Sequence, residues 1–172
     1  MKVIVFGNLA SGKSYLSDKI CNEIPSLEYL SVDDFRRKIG NGTMEKEIEA
    51  KQAFFNNIKL DKLQLIEATG LGDTGEMIAN FLKESKELKL IIILKTSLEI
   101  CLERLNTRVW DVPYPAPTEH AFKLAESTDK LIEENAIQEY WKNDVNCKIV
   151  ELKNVTDEEF EAIIKTLKNE LT

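Results

Sequence analysis

A glycine-rich segment near the start of the chain constrains the fold more than any other feature. Residues 7–14 read Gly-Asn-Leu-Ala-Ser-Gly-Lys-Ser, the G-x-x-x-x-G-K-[ST] pattern of phosphate-binding loops. The apolar run 3–6 before it predicts a buried strand, and residues 15–21 after it have helical character. Glycines let backbone N–H groups approach phosphate oxygens, and the start of a helix adds partial positive charge. The segment therefore predicts a site for a nucleoside triphosphate.

The residue types within this loop indicate separate tasks. Lys13 is expected to reach the β- and γ-phosphates and to stabilise charge during phosphoryl transfer, while the Ser14 hydroxyl is expected to bind Mg²⁺. ATP and Mg²⁺ are thus the expected cofactors. The other nucleotide-binding residues predicted in this region are Gly7, Asn8, Ala10, Ser11, Gly12 and Tyr15.

Length and composition limit the class of protein. The chain has 172 residues, of which 43% are hydrophobic and 31% charged, as expected of one globular domain. Its apolar runs are too short to span a bilayer, it begins with a strand rather than a signal peptide, and its three cysteines show no disulfide or metal spacing. These features predict a cytoplasmic protein without a membrane partner. The net charge of −7 disfavours a nucleic-acid partner.

Predicted strands alternate with predicted helices along the chain. The strands are 2–6, 28–32, 63–68, 88–94 and 148–152, and the helices are 13–23, 43–59, about 73–82, 98–107, 118–141 and 156–171. Such alternation predicts an α/β fold in three layers, with a parallel sheet covered by helices on both faces. The buried stripes of two of these helices are expected to include Ile48, Met77 and Phe81.

The acidic segment after the second strand is a candidate acceptor site. In a parallel sheet of this kind, ligands bind at the carboxyl ends of the strands, so Asp33 and Asp34 should share an edge with the phosphate-binding loop. Either carboxylate could accept the proton of an attacking hydroxyl, and Arg36 could bind an anionic group of the substrate. The alternative is that the aspartate merely caps a helix.

Two further segments extend the predicted site. Glu67 ends an apolar strand beside the loop, where a second carboxylate directed at Mg²⁺ belongs, and Gly70 could let a substrate approach the backbone. Arg104 and Arg108 lie four residues apart on one helix and lead into a proline-rich stretch. Arginines on a closing lid stabilise the charge of phosphoryl transfer and exclude water. The alternatives are an ordinary strand end with a turn and a solvated basic helix end.

Weaker signals concern the rest of the nucleotide. The segment 153–156 follows the last predicted strand, where Asn154 could meet an adenine. Trp110 and Tyr114 could stack on a ring or simply pack within the lid. His120 has no partner visible in the sequence and is expected on the surface.

Taken together, the loop 7–14, Asp33-x-x-Arg36, Glu67-Ala68-Thr69-Gly70 and Arg104-x-x-x-Arg108 resemble the small P-loop kinases. That group includes adenylate-kinase-like, shikimate- and gluconate-kinase-like, zeta-toxin-like and polynucleotide 5′-hydroxyl kinase families. The resemblance implies a five-stranded sheet of order 2-3-1-4-5, a substrate-binding region around 34–60 and a lid near 108–118. It further implies Mg·ATP as donor, Asp33 at the acceptor hydroxyl and Arg36 at its anionic surroundings.

The chain departs from individual members of this group. Adjacent aspartates replace the Asp-x-Asp of shikimate-type enzymes, and Thr69-Gly70-Leu71-Gly72 replaces their triple glycine. Neither the arginine-rich monophosphate site nor the long lid of adenylate kinases is evident. The sequence thus predicts a kinase for a hydroxyl or phosphate of a small metabolite or nucleotide, with the acceptor and oligomeric state open. A polynucleotide 5′-hydroxyl kinase and a nucleotide-binding regulatory protein are the alternatives.

Overall fold

The computed structural model describes residues 1–83, 85–153 and 155–171. Over these residues the chain forms β1 (Lys2–Gly7), α1 (Lys13–Glu23), β2 (Glu28–Ser31), α2 (Val32–Ile39), α3 (Met44–Asn57), β3 (Gln64–Ala68), α4 (Gly72–Lys83), β4 (Lys89–Leu94), α5 (Leu98–Thr107), α6 (Thr118–Glu133), α7 (Ala136–Trp141), β5 (Cys147–Leu152) and α8 (Asp157–Glu170).

The strands form one parallel sheet in the order β2-β3-β1-β4-β5, as predicted. The central strand β1 is buried along its whole length and pairs with β3 on one side and β4 on the other. Because β1, β2 and β3 lie side by side in parallel, their carboxyl ends at Gly7, Ser31 and Ala68 meet at one edge of the sheet. The segments that follow these three strands therefore converge.

Alternate residues of the sheet pack into two hydrophobic layers. Ile4 and Phe6 face one layer, which includes Phe54 of α3, whereas Val3 and Val5 face the other, which includes Leu16 of α1. Each fully buried large side chain of this kind contributes about 1.5–3 kcal/mol relative to an exposed one. The two layers confirm the predicted arrangement of helices on both faces of the sheet.

The observed helices differ from the predicted ones at two places, since α2 was not predicted and the long helix 118–141 is divided. The predicted second strand extends to residue 32, but in the structure Ser31 ends β2 and caps α2, its hydroxyl accepting a hydrogen bond from the Asp34 N–H at 3.1 Å. Asp33 is therefore not the cap of this helix. The predicted helix 118–141 is interrupted before α7, where Asn135 adopts a left-handed conformation with φ of 59°.

The predicted buried stripes of α3 and α4 were wrong at three positions. Ile48 is 59% exposed, Met77 51% and Phe81 43%. The inner face of α3 carries Glu47 instead, which is 5% exposed. No helix among the described residues is long and apolar enough to cross a bilayer.

Candidate active site

The phosphate-binding segment joins β1 to α1 through two residues in the left-handed region of backbone conformation, which is favourable for glycine but not for alanine. Ala10 and Gly12 both have positive φ, of 56° and 98°, and Gly12 is the residue that precedes α1. A side chain at Gly7 would place its Cβ 2.8 Å from the Ser11 hydroxyl and 3.0 Å from Leu94 Cβ. The two glycines of the pattern are thus required by close packing at one end of the loop and by a left-handed turn at the other.

Contacts from three neighbouring segments hold the loop in place. The Asn8 amide donates to the Ala125 carbonyl of α6 at 2.9 Å, and the Thr96 hydroxyl donates to the Ser11 carbonyl, also at 2.9 Å. Arg104 of α5 donates to the Ala10 carbonyl at 3.2 Å. Asn8, which is 1% exposed, therefore anchors the loop from behind. Arg104, by contrast, reaches the loop from the side of the cleft.

Lys13 at the start of α1 extends back along the loop. Its ammonium group donates to the Asn8 carbonyl at 2.7 Å. Burial lowers the pKa of Lys13 below its usual value, although the carboxylates of Glu67 and Asp33 act in the opposite direction. An ammonium held in such a place is stabilised by a nearby anion, because burial leaves its charge incompletely solvated.

Ser14 and Glu67 are brought together by the pairing of β1 with β3. The Ser14 hydroxyl donates to one oxygen of Glu67 at 2.9 Å, and the Tyr29 hydroxyl of β2 donates to the other at 2.6 Å. Burial and the neighbouring Glu67 carboxylate raise the pKa of Tyr29, so its phenol stays a hydrogen-bond donor. Tyr29 is a site residue that the sequence analysis missed, since only the strand register reveals it.

The arrangement of Ser14, Glu67 and Tyr29 is suited to binding a hard cation. A hydroxyl and a carboxylate oxygen are ligands of the kind that Mg²⁺ prefers, and Mg²⁺ usually takes few protein ligands together with phosphates and water. Among the residues that the structure describes, no group of three or more His, Cys, Asp or Glu side chains could hold a metal ion alone. Ser14 and Glu67 could therefore hold Mg²⁺ jointly with nucleotide phosphates.

A second cluster of charges centres on Asp33 in the first turn of α2. Asp33 accepts from Arg36 Nη1 at 2.7 Å, and its other oxygen lies 3.7 Å from Arg108 Nη2. Arg36 also donates to both oxygens of Glu47, at 2.8 and 2.6 Å. Burial alone would lower the pKa of Arg36, but its bonds to Glu47 and Asp33 raise it above the usual value. Asp34 instead pairs with Arg37, at 3.1 Å on the surface.

Residues 108–117 form no helix or strand and lie against α2. The Arg36 guanidinium lies 5.0 Å from the centre of the Tyr114 ring, and that of Arg108 lies 5.3 Å from the Trp110 ring. Arg37 also donates to Asp111 at 3.1 Å. The predicted lid and the predicted substrate-binding region therefore face each other in this structure.

Both clusters open onto one cleft of about 690 Å³ at the carboxyl ends of the strands. A cleft of this size suits a small-molecule or nucleotide ligand. Its walls include these predicted residues: Ala10, Ser11, Gly12, Lys13, Ser14, Tyr15, Asp33, Arg36, Glu67, Arg104 and Arg108. They also include Lys51, Thr69 and Asp73, to which the sequence analysis gave no role.

The other predicted site residues lie elsewhere. Gly7 and Asn8 belong to the loop but are buried and do not line the cleft. Gly70 is buried with φ of 85°, and a Cβ there would lie 2.5 Å from the Phe6 ring, so packing accounts for the glycine. Asn154 falls outside the described residues.

Solved structures of similar fold cover essentially the whole chain. Deoxyadenosine kinase from M. mycoides with bound dATP is 17% identical, with 98% of this chain and 100% of that one covered at a TM-score of 0.58. Shikimate kinase from Acinetobacter baumannii in complex with shikimate is 15% identical, with 99% of this chain and 92% of that one covered at a TM-score of 0.62. Chaetomium thermophilum Kti12 in complex with ADP-AlF3 is 11% identical, with 100% of both chains covered at 0.66.

No protein-family model and no curated protein matches the chain. The structural likenesses, at these low identities, show the fold. That fold, with its five parallel strands in the order 2-3-1-4-5, is the fold of the small P-loop kinases.

Proposed function

We propose that the chain is an ATP-dependent phosphotransferase that moves the γ-phosphoryl group of Mg·ATP to a hydroxyl or phosphate of a small metabolite or nucleotide. The observation that carries this proposal is the shared cleft. Lys13, the Ser14–Glu67 pair and Asp33 all line it, although they lie at the carboxyl ends of three different strands. A donor phosphate and an acceptor hydroxyl could therefore meet between the loop and α2.

In this proposal, the residues of the loop bind the donor nucleotide, Mg·ATP. Backbone N–H groups at the start of α1 and the Lys13 ammonium bind the phosphates. Ser14, with Glu67 behind it, holds Mg²⁺, which neutralises phosphate charge when bound. Tyr15 and Asn154 complete the proposed nucleotide site, and Arg104 stabilises charge that develops on the transferred group.

In the same proposal, Asp33 interacts with the acceptor. Its carboxylate orients the acceptor hydroxyl and receives its proton as the new bond between oxygen and Pγ forms. The bond from Pγ to the β–γ bridging oxygen breaks in the same transfer, and ADP leaves. Arg36 and Arg108 hold Asp33 from two sides, at 2.7 and 3.7 Å. In the proposed single domain 1–172, residues 34–60 surround the acceptor and residues 108–118 close over it.

The experiment measures ADP release from Mg·ATP with pools of candidate acceptors. The pools contain sugars and sugar acids, shikimate-like alcohols, nucleosides, nucleoside monophosphates and 5′-hydroxyl oligonucleotides. We expect one pool to accelerate ADP release and Lys13→Ala to abolish the acceleration. Equal rates with all pools and with none would contradict the proposal.

A second candidate is a nucleotide-binding regulatory protein that hydrolyses ATP without a small acceptor. The observation that favours it is the likeness to Kti12, which spans both chains completely and was described with ADP-AlF3 as its ligand. Tight ATP binding together with acceptor-independent turnover would support this candidate.

A further inference from the structure

The guanidinium of Arg36 is already occupied within the protein. Nε and Nη2 donate to the two oxygens of Glu47, and Nη1 donates to Asp33. A guanidinium has five N–H donors, so three of them are engaged in charge-assisted bonds. Two parallel bonds to one carboxylate are also the geometry by which arginine binds a carboxylate ligand. Glu47 therefore holds the position on Arg36 that an acidic substrate would need.

Glu47 is itself held firmly in that position. Its side chain is 5% exposed on the inner face of α3, and Lys51 of the same helix lies 3.5 Å from one of its oxygens. The Arg36 side chain is 16% exposed, with the Tyr114 ring over its guanidinium. A substrate anion that displaced Glu47 would leave a buried carboxylate with Lys51 as its remaining cation, and removing one partner of a buried pair is strongly unfavourable.

A second guanidinium at this end of the cleft also lies near a carboxylate. Arg108 lies near Asp33, at 3.7 Å, and stacks on Trp110. Lys13 and Arg104 lie at the phosphate-binding loop, where the donor phosphates would bind. Among the described residues that line the cleft near Asp33, Arg36, Lys51 and Arg108 lie 2.6, 3.5 and 3.7 Å from a carboxylate oxygen of Glu47 or Asp33, so each cation there already faces a carboxylate.

We propose that the acceptor is an uncharged hydroxyl compound, and that Glu47 disfavours acceptors bearing a carboxylate or phosphate by occupying Arg36. This inference rests on the proposed kinase function for its catalytic consequence. The sequence pattern assigns Arg36 to an anionic group of the substrate, whereas its contacts make it the residue that positions Asp33. A neutral alcohol can donate to Asp33, while an anion would find the bidentate face of Arg36 taken by Glu47 and would meet the charge of Asp33.

The occupancy of Arg36 can be measured without any turnover. In the ¹⁵N-labelled protein with Mg·ADP, the arginine Nε–H signals are followed while gluconate is added, with glucitol as the uncharged control. The Arg36 signal is assigned by its loss in Arg36→Lys. We expect this signal to be protected from solvent exchange and unmoved by gluconate. In Glu47→Gln, which removes the charge but keeps the side-chain volume, gluconate should shift it.

The consequence for specificity is measured with matched pairs of acceptors. ADP release is compared for glucitol against gluconate and for deoxyadenosine against its 5′-monophosphate. We expect the neutral member of the active pair to be preferred at least 10-fold in kcat/KM, and Glu47→Gln to reduce that preference at least 10-fold. Glu49→Gln is the matched control, because Glu49 lies on the same helix but pairs with Lys46 at the surface.

The two measurements separate the possible failures. A wild-type Arg36 signal that moves with gluconate, or a preference for the charged member of a pair, would overturn the inference. If no acceptor accelerates ADP release, the proposed function fails, and the NMR titration alone then decides whether Arg36 is closed to anions.

Discussion

Ser14 and Glu67, 53 residues apart in the chain, are joined by a hydrogen bond of 2.9 Å between the first turn of α1 and the end of β3. The second oxygen of Glu67 accepts from Tyr29 at 2.6 Å, so the carboxylate is fixed at both ends. A carboxylate fixed in this way is suited to orient a hydroxyl that binds a metal ion, because its own rotation is already restricted.

Tyr29→Phe tests this arrangement. Loss of one hydrogen bond to a charged group costs about 1.5–3 kcal/mol, so we expect the Mg²⁺ concentration for half-maximal nucleotide binding to rise about 10-fold or more. ATP binding is measured while Mg²⁺ is titrated. Alternatively, Mn²⁺ replaces Mg²⁺ and its binding is followed by electron paramagnetic resonance. Tyr140→Phe on α7 is the control. An unchanged metal dependence in Tyr29→Phe would show that the tyrosine only packs.

Lys13→Met should weaken nucleotide binding without lowering the stability of the nucleotide-free protein. Burial lowers the pKa of Lys13, so the unfolded chain holds this proton more tightly than the folded one. Lys13 therefore opposes folding at neutral pH, and its cost declines as the pH rises toward the usual value for lysine. We expect Lys13→Met to melt at the same or a higher temperature than the wild type without nucleotide, and to lose most of the stabilisation by Mg·ATP. Lys123→Met, at an exposed position, is the control. A marked drop in the melting temperature of the nucleotide-free variant would contradict the assignment.

Asp33→Asn should retain ATP binding and lose transfer to the acceptor by about 10²–10⁴-fold, the usual contribution of a positioned proton acceptor. Asp34→Asn is the matched comparison, since Asp34 is adjacent but pairs with Arg37 rather than lining the cleft. Turnover with the stimulating acceptor and ATP affinity are measured for both variants. If Asp34→Asn is the more damaging change, the acid role belongs to Asp34.

Much of this fold could be predicted because its signals are local. The strand, loop and helix around residues 7–14 follow from adjacent residues, and so does the capping box of α8, in which Thr156 and Glu159 bond each other's backbone. The break before α7 could not be predicted, because a left-handed Asn135 leaves no periodic signal. Ile48 was assigned to the apolar stripe of α3, whereas the structure exposes it and buries its neighbour Glu47.

The missed parts of the site depend on contacts between distant segments. Glu47 is buried because Arg36, on another helix, supplies its partners, and a single sequence does not show that pairing. The bond from Tyr29 to Glu67 likewise requires the register of β2 against β3. Glu67 itself could be predicted, since it ends an apolar strand beside the loop.

A buried ion pair at the opposite end of the sheet yields a prediction on stability. Lys89, fully buried at the start of β4, lies 2.9 Å from Asp144 and also donates to the Ser85 carbonyl at 2.7 Å. Asp144→Ala leaves this ammonium without a counter-charge, so we expect a loss of about 3–5 kcal/mol in the free energy of unfolding. Glu139→Ala, which removes the exposed partner of Lys142, should cost at most about 1 kcal/mol. Urea unfolding measures both, and equal losses would show that burial of the pair is unimportant.

The most direct test of the central claim is the fate of the γ-phosphoryl group. The protein is incubated with Mg·ATP and the acceptor pool that accelerates ADP release, and the products are followed by ³¹P NMR. The proposed phosphotransferase should produce a phosphate ester of the acceptor in amounts equal to ADP, with little inorganic phosphate. Inorganic phosphate equal to ADP, with no ester, would contradict the account and identify the protein as an ATP-hydrolysing one.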